Sequence, residues 1–177
     1  VLKSASPYRM YHQVQLTTVC DMIQLGYQTS ESNFELFQIL NEKESYLESA
    51  GNMPDATLLF RRKNGLPGYV LVFMELERSY ASMERISSKL VNYFISFSNN
   101  SYGSIWGLPI LSQRILYVTQ TESQYEVLKS KILSSDNYKE LNVLIAKYSD
   151  VINDSQLNIY YDLNADKHIK LLGNMSH

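Results

Sequence analysis

From Tyr69 to Glu77 the chain reads YVLVFMELE, and this run constrains the fold more than any other segment. Successive residues of a strand point to opposite faces. A strand apolar on both faces must be covered on both, so it belongs in the middle of a sheet between two layers. Just upstream, Asp55 to Arg62 (DATLLFRR) reads as a second strand. Between them lies Asn64-Gly65-Leu66-Pro67-Gly68, a dense turn signal. The two strands are therefore predicted to form a hairpin with Asn64-Gly65 near its tip.

The flanks supply the helices. Tyr8 to Gly26 reads as a helix, with Met10, Val14, Thr17/Thr18, Asp21/Met22 and Leu25 as its repeating face and Gly26 as its stop. Phe34 to Leu40 has strand composition, with a helix as the alternative, and residues 41–53 read as a charged connection with room for a helical turn. Ser82 is a good N-cap for a helix to about Ser98, with Met83, Ile86, Leu90, Phe94 and Phe97 in one stripe. Residues 99–109 read as a loop. Arg114 to Gln120 is a further strand, and Thr121-x-x-Gln124 is a capping box opening a helix to about Leu133. Leu141–Tyr148 and Leu157–Leu163 are candidate short elements, and the tail after Asn164 gives no clear pattern. A hairpin followed by strand–helix–strand predicts an α/β fold, a mixed central sheet flanked by helices.

At 177 residues the chain is predicted to form one domain, with a core over about 10–133 and an extension over 134–177. The formal net charge of −2 excludes a global basic field, so any contact with nucleic acid must come from a local basic patch or from a part of the protein absent here. The single cysteine, Cys20, excludes an internal disulfide and a Cys-based metal cluster. It sits in an apolar helical pattern, which predicts a buried, inert thiol and a reducing, cytoplasmic setting. No apolar run reaches the roughly 20 residues that cross a bilayer, so no membrane role is expected. The first residue is Val1 rather than Met, and an N-terminal region is expected to be missing.

The chemistry lies at one end of the predicted hairpin. Asp55 opens the first strand, and Glu75 and Glu77 close the second. Antiparallel pairing brings a strand's start beside its neighbour's end, so the three carboxylates are expected at one sheet edge. Glu75 and Glu77 share a face and Leu76 points away. Converging carboxylates suit Mg²⁺ or Mn²⁺, which would polarise a phosphate and activate water. Lys89, about two turns into the following helix, and Arg78, beside the acids, are the candidate cations. Arg61-Arg62-Lys63 is a basic run at the hairpin tip, able to grip a phosphate backbone or simply to be solvated. His12 has no Cys or His at ligand spacing, which predicts a structural role, and His168 and His177 carry no signal. No Ser-His-Asp order, P-loop or dinucleotide glycine pattern is present.

These motifs carry a resemblance. PDATLLF, VFMELERSYASMERISSKLVNYF and RILYVT, in that order, resemble the replication-relaxation family of plasmids and conjugative elements. Pro54-Asp55-Ala56 matches its first motif. Glu75-Leu76-Glu77-Arg78 matches the second, with Glu in place of Asp, and Lys89-Leu90-x-x-Tyr93 matches the third. His12 falls where the family often has a histidine. The resemblance implies a PD-(D/E)XK nuclease-like core (αβββαβ) preceded by a DNA-binding winged helix that this chain lacks. It also implies work in plasmid replication, conjugation or mobilisation, with DNA and replication or transfer proteins as partners and homo-oligomers as an option. Active nucleases of that superfamily usually carry Lys two residues after the Glu, where this chain has Glu77. Either Lys89 supplies the cation from the helix, or the domain is a non-catalytic accessory or regulatory protein with a degenerate nuclease fold.

Overall fold

A computed structural model describes residues 6–63 and 65–172. Asn64 of the expected hairpin tip and His177 lie outside the described residues. Seven strands form one mixed sheet in sequential order. They are β1 (Phe34–Asn41), β2 (Ala56–Arg62), β3 (Tyr69–Glu77), β4 (Ile110–Thr119), β5 (Asn142–Lys147), β6 (Tyr160–Asp162) and β7 (Lys167–Ile169). The first three are antiparallel neighbours, β3, β4 and β5 run parallel, and β6 and β7 return antiparallel. Six helices accompany them: α1 (Pro7–Thr29), α2 (Glu42–Ser45), α3 (Met83–Ser98), α4 (Ser101–Trp106), α5 (Glu122–Leu133) and α6 (Tyr148–Asn153).

The hairpin forms as expected, with Ala56 opposite Met74 and Phe60 opposite Val70. β3 is buried from Val70 to Glu77, as its double-sided apolarity requires. Its residues divide between two cores. Val70, Val72, Met74 and Leu76 pack under α1 and α6. Leu71 and Phe73 pack under α3, α4 and α5, among Leu90, Tyr93, Tyr102 and Leu128. The molecule is thus helices, sheet, helices, and no described helix is long and apolar enough to cross a membrane.

Local chemistry fixes the helix ends. Ser82 accepts from the Arg85 N–H and starts α3. Thr121 and Gln124 form the reciprocal capping box, and α5 ends at Leu133.

The face of α1 differs from the expectation. Met10, Val14 and Leu25 are more than half exposed, whereas Leu16, Val19, Cys20, Ile23 and Tyr27 are buried. Both sets recur at helical spacing, and packing on the sheet selects the second. Nor does Gly26 stop the helix, which runs on to Thr29. A Cβ at Gly26 would lie 2.5 Å from Ser155 Oγ. The glycine lets the 155–156 segment close against α1, where Ser155 Oγ donates to the Met22 carbonyl at 2.8 Å.

Two other regions were not legible. Residues 101–106 form α4 inside the expected loop. The tail after Asn164 adds β7 and then buries Leu171 and Leu172. The half-buried Arg114 guanidinium donates to the Leu171 carbonyl at 2.8 Å and holds that tail in place.

Candidate functional site

β3 presents Glu75 and Glu77 on the side covered by α3 and α5, while Leu76 faces α1. Glu75 is only 4% exposed. An ionised carboxylate so deep in protein requires partners. Lys89 of α3 forms an ion pair with its Oε2. The Tyr93 hydroxyl donates to its Oε1 at 2.8 Å. Lys89 and Tyr93 stand four residues apart on α3, the spacing that puts two side chains over one spot.

Burial pushes the Glu75 carboxyl up from its ordinary value. The Lys89 ammonium opposes that shift, and the Asp55 charge adds to it. Two further buried tyrosines feel this carboxylate. Tyr117, opposite Glu75 on β4, and Tyr102 on α4 are both pushed upward, chiefly by burial and next by Glu75. Among the described residues, neither hydroxyl has a hydrogen-bond partner.

Asp55 stands one residue before β2. Its N–H donates to the Met74 carbonyl at 3.0 Å, and its Oδ2 accepts from the Leu76 N–H at 2.7 Å. The side chain thus extends the ladder where the backbone of β2 has ended, which fixes it beside the end of β3. His12 Nε2 reaches the same Oδ2 at 3.6 Å from α1. The Asp55 carboxylate raises the His12 imidazole above its ordinary value, and partial burial works against it.

Glu77 has a different role. Its Oε1 accepts from Ser79 N–H and Oγ, at 3.2 and 3.1 Å, and so closes the turn leaving β3. Arg78 is turned towards α1, donates to the Tyr8 carbonyl at 3.0 Å and lies over the rings of Tyr8 and Tyr11.

The structure therefore brings Asp55, Glu75 and Lys89 to one sheet edge and gives Glu77 and Arg78 local partners. It places the Arg61-Arg62-Lys63 run at the opposite end of β2, seven residues from Asp55, or roughly 20 Å along an extended strand. There Arg61 pairs with Glu35 and covers the Phe37 ring, and Lys63 donates to the Ser30 carbonyl.

Sequence reasoning gave His12 only a structural role and missed the Glu75 contact of Tyr93. Each left a signal, His12 in falling where the resembled family often has a histidine and Tyr93 in its four-residue spacing from Lys89. A partly buried amide pair at the same end, Gln15 donating to Gln120 at 2.6 Å, left none, because its partners are 105 residues apart.

Among the described residues, no group of three or more His, Cys, Asp or Glu side chains is arranged to hold a metal ion. Mg²⁺ needs fewer, since it commonly binds through one or two carboxylates, several waters and substrate phosphates. Asp55 and Glu75 are the two carboxylates at this end, Asp55 bonded to the Leu76 N–H beside His12 of α1 and Glu75 to Lys89 and Tyr93 of α3, and Glu77 does not join them. No family model matches the chain, and no curated protein and no solved structure gives a significant match.

Proposed function

We propose that this chain is a DNA-acting, nuclease-like domain of a replication or mobilisation protein of a plasmid or conjugative element. The observation that carries the reading is the placing of Glu75. It is a buried carboxylate at the C-terminal end of a central strand, held between a lysine and a tyrosine, with Asp55 acting on it from the neighbouring strand. Structural carboxylates are seldom buried this way, and perturbed ionisable groups cluster at functional sites. The order of the first elements supports the same reading. One helix, a three-stranded antiparallel meander, a crossover helix and a parallel strand follow the αβββαβ order of a PD-(D/E)XK core.

In this reading Asp55 and Glu75 hold Mg²⁺ or Mn²⁺. Such an ion, when bound by them, would supply Lewis-acid polarisation of a phosphate and a more acidic water. Lys89, which shares Glu75 with Tyr93, neutralises charge on the phosphate from α3. The Leu76 N–H and His12 fix the Asp55 carboxylate from two sides, and Tyr93 holds one oxygen of Glu75. Positioning of this kind accounts for much of the catalysis in phosphate chemistry.

One observation favours the alternative of a non-catalytic accessory or regulatory protein. The position two residues after Glu75 holds a carboxylate bonded to its own turn, and both Glu75 oxygens already have protein partners.

Thermal denaturation with and without Mn²⁺, on wild type and Glu75→Gln, separates the two. At one hundred times its dissociation constant a ligand adds about 2.7 kcal/mol. A rise in melting temperature lost in Glu75→Gln, with nicking of supercoiled or single-stranded DNA lost in the same variant, supports the nuclease. DNA binding without either effect supports the accessory role. No binding to any DNA sinks the nuclease-like reading.

A further inference from the structure

The first turns of α1 hold two aromatic rings in solvent beside the acidic end. Tyr8 is 59% exposed and Tyr11 57%. Three residues apart on the helix, they are neighbours on its surface. Arg78, the first residue after β3, lies over both. Its guanidinium carbon is 4.4 Å from the centre of the Tyr8 ring and 4.7 Å from that of Tyr11. It also donates to the Tyr8 carbonyl at 3.0 Å, which ties the group to the end of the central strand. More than half of each ring residue stays open with the guanidinium in place.

The charges here favour an anionic occupant. Among the described residues, no carboxylate pairs with Arg78. Arg9 is exposed on the same turn, and α1 carries no acid before Asp21. The group also borders the acidic site. His12 follows Tyr11 in sequence and reaches Asp55, and Asp55 accepts from Leu76, two residues before Arg78. Asp55 raises the His12 imidazole most, and the Arg78 charge is near enough to oppose it.

Exposed rings also suit a contact between copies of the chain. A two-fold interface sets a patch against itself, however, so Arg9 and Arg78 would bring like charges together. A single nucleic-acid strand meets both halves of the chemistry. Its bases stack on aromatic rings and on guanidinium planes, and its phosphates are neutralised by the cations. A duplex keeps its base faces inside its own stack, out of reach of a surface ring.

We propose that Tyr8, Tyr11 and Arg78 form a stacking platform for unpaired bases of single-stranded DNA, next to the acidic end that takes the phosphate in the DNA-acting reading above. The platform binds the strand and takes no part in bond breaking.

The test is fluorescence anisotropy without divalent metal, with a labelled 15-nucleotide oligo(dT), the matching duplex and a 15-unit abasic strand. Oligo(dT) is expected to bind at least tenfold more tightly than the other two. Tyr8→Leu and Tyr11→Leu should each weaken oligo(dT) about fivefold or more, the low end of what one base–ring stack contributes. Abasic-strand binding and the melting temperature should stay unchanged, and either variant alone decides should the other not fold. Tyr8→Phe and Tyr11→Phe keep the rings and should bind as wild type. Tyr80→Leu removes an equally exposed ring, bonded to Ser123 of α5, and should change nothing. Equal binding of oligo(dT) and the abasic strand overturns the platform, as does wild-type affinity in the Leu variants. So does a dimer that the Leu variants dissociate in sedimentation while oligo(dT) binding is intact. Metal-dependent nicking together with ring-independent binding removes the platform and leaves the nuclease-like reading. Ring-dependent oligo(dT) binding with neither nicking nor a response to Mn²⁺ removes the catalytic reading and leaves the platform.

Discussion

The two ends of the β2–β3 hairpin are both charged and only a few residues apart in sequence, yet they are different environments. At the tip, Arg61 and Glu35 form an ion pair in which each side chain is about 40% exposed or more. Water solvates both partners, so the pair is a weak constraint. At the other end Glu75 is almost wholly buried and bonded on both oxygens. A charge there is costly unless its partners stay in place. The contrast teaches where sequence can change freely. The tip tolerates substitution because its charges stay hydrated, whereas the acidic end is a small network in which each member depends on the others.

The largest effect expected from this contrast is at Lys89. Removing one member of a buried pair leaves the other charge uncompensated, at a cost of about 3–5 kcal/mol. Lys89→Met should therefore destabilise the fold by about 3 kcal/mol in urea denaturation at neutral pH, the low end because its own side chain is a quarter exposed. Glu75→Gln combined with Lys89→Met should restore most of the loss. If Lys89→Met alone changes stability by less than about 1 kcal/mol, the acidic end is no more constrained than a surface pair.

The same contrast explains what could be read from the chain. The hairpin, β3 as a central strand and the bounds of α5 were legible because each rests on local chemistry. These are a Gly-rich turn, an apolar run and a capping box between Thr121 and Gln124. The outward face of α1 was misread because Met10, Val14 and Leu25 have the same spacing as a buried stripe, and spacing does not say which stripe meets the sheet. At the site, Asp55, Glu75 and Lys89 were legible as an order of motifs along the hairpin and its next helix. The bonding of Glu77 to Ser79 was not, since a carboxylate two residues from a serine has many possible partners. The His12–Asp55 contact and the Gln15–Gln120 pair join positions 43 and 105 residues apart. Only the packing of α1 across the end of the sheet brings them together.

A smaller effect separates the two ends by pH. Glu75 and His12 are both raised in the folded protein, from ordinary values of 4.5 and 6.5. A group whose folded value is raised binds its proton more readily in the native state. Its contribution is whole below the unfolded value and is lost as pH rises through the folded one. Metal-free protein should thus lose stability in two steps as pH rises, one starting near 4.5 and one near 6.5. Glu75→Gln should remove the lower step and His12→Gln the upper, in melting curves taken from pH 4 to 9. Arg62, by contrast, has no part in either step, and Arg62→Ala should leave both unchanged. A wild type that gains stability between pH 6 and 8 relative to His12→Gln would reverse the sign and remove the Asp55–His12 coupling.

The smallest effect is expected at the tip itself. Exposed ion pairs contribute about 0.2–1 kcal/mol, and a guanidinium over an exposed ring about 0.5–1. Arg61 makes both contacts, with Glu35 and with Phe37. Arg61→Ala should therefore cost about 1 kcal/mol at low salt, and less in 1 M NaCl, where the Debye length falls to about 3 Å. The Lys89–Glu75 pair lies out of reach of that screening, so the loss in Lys89→Met should hardly change with salt. Salt dependence is thus the sharpest discriminator between the ends. Should the cost of Arg61→Ala prove as large as that of Lys89→Met and equally insensitive to salt, the tip is a packed structural element, and the division between a hydrated end and a bonded one fails.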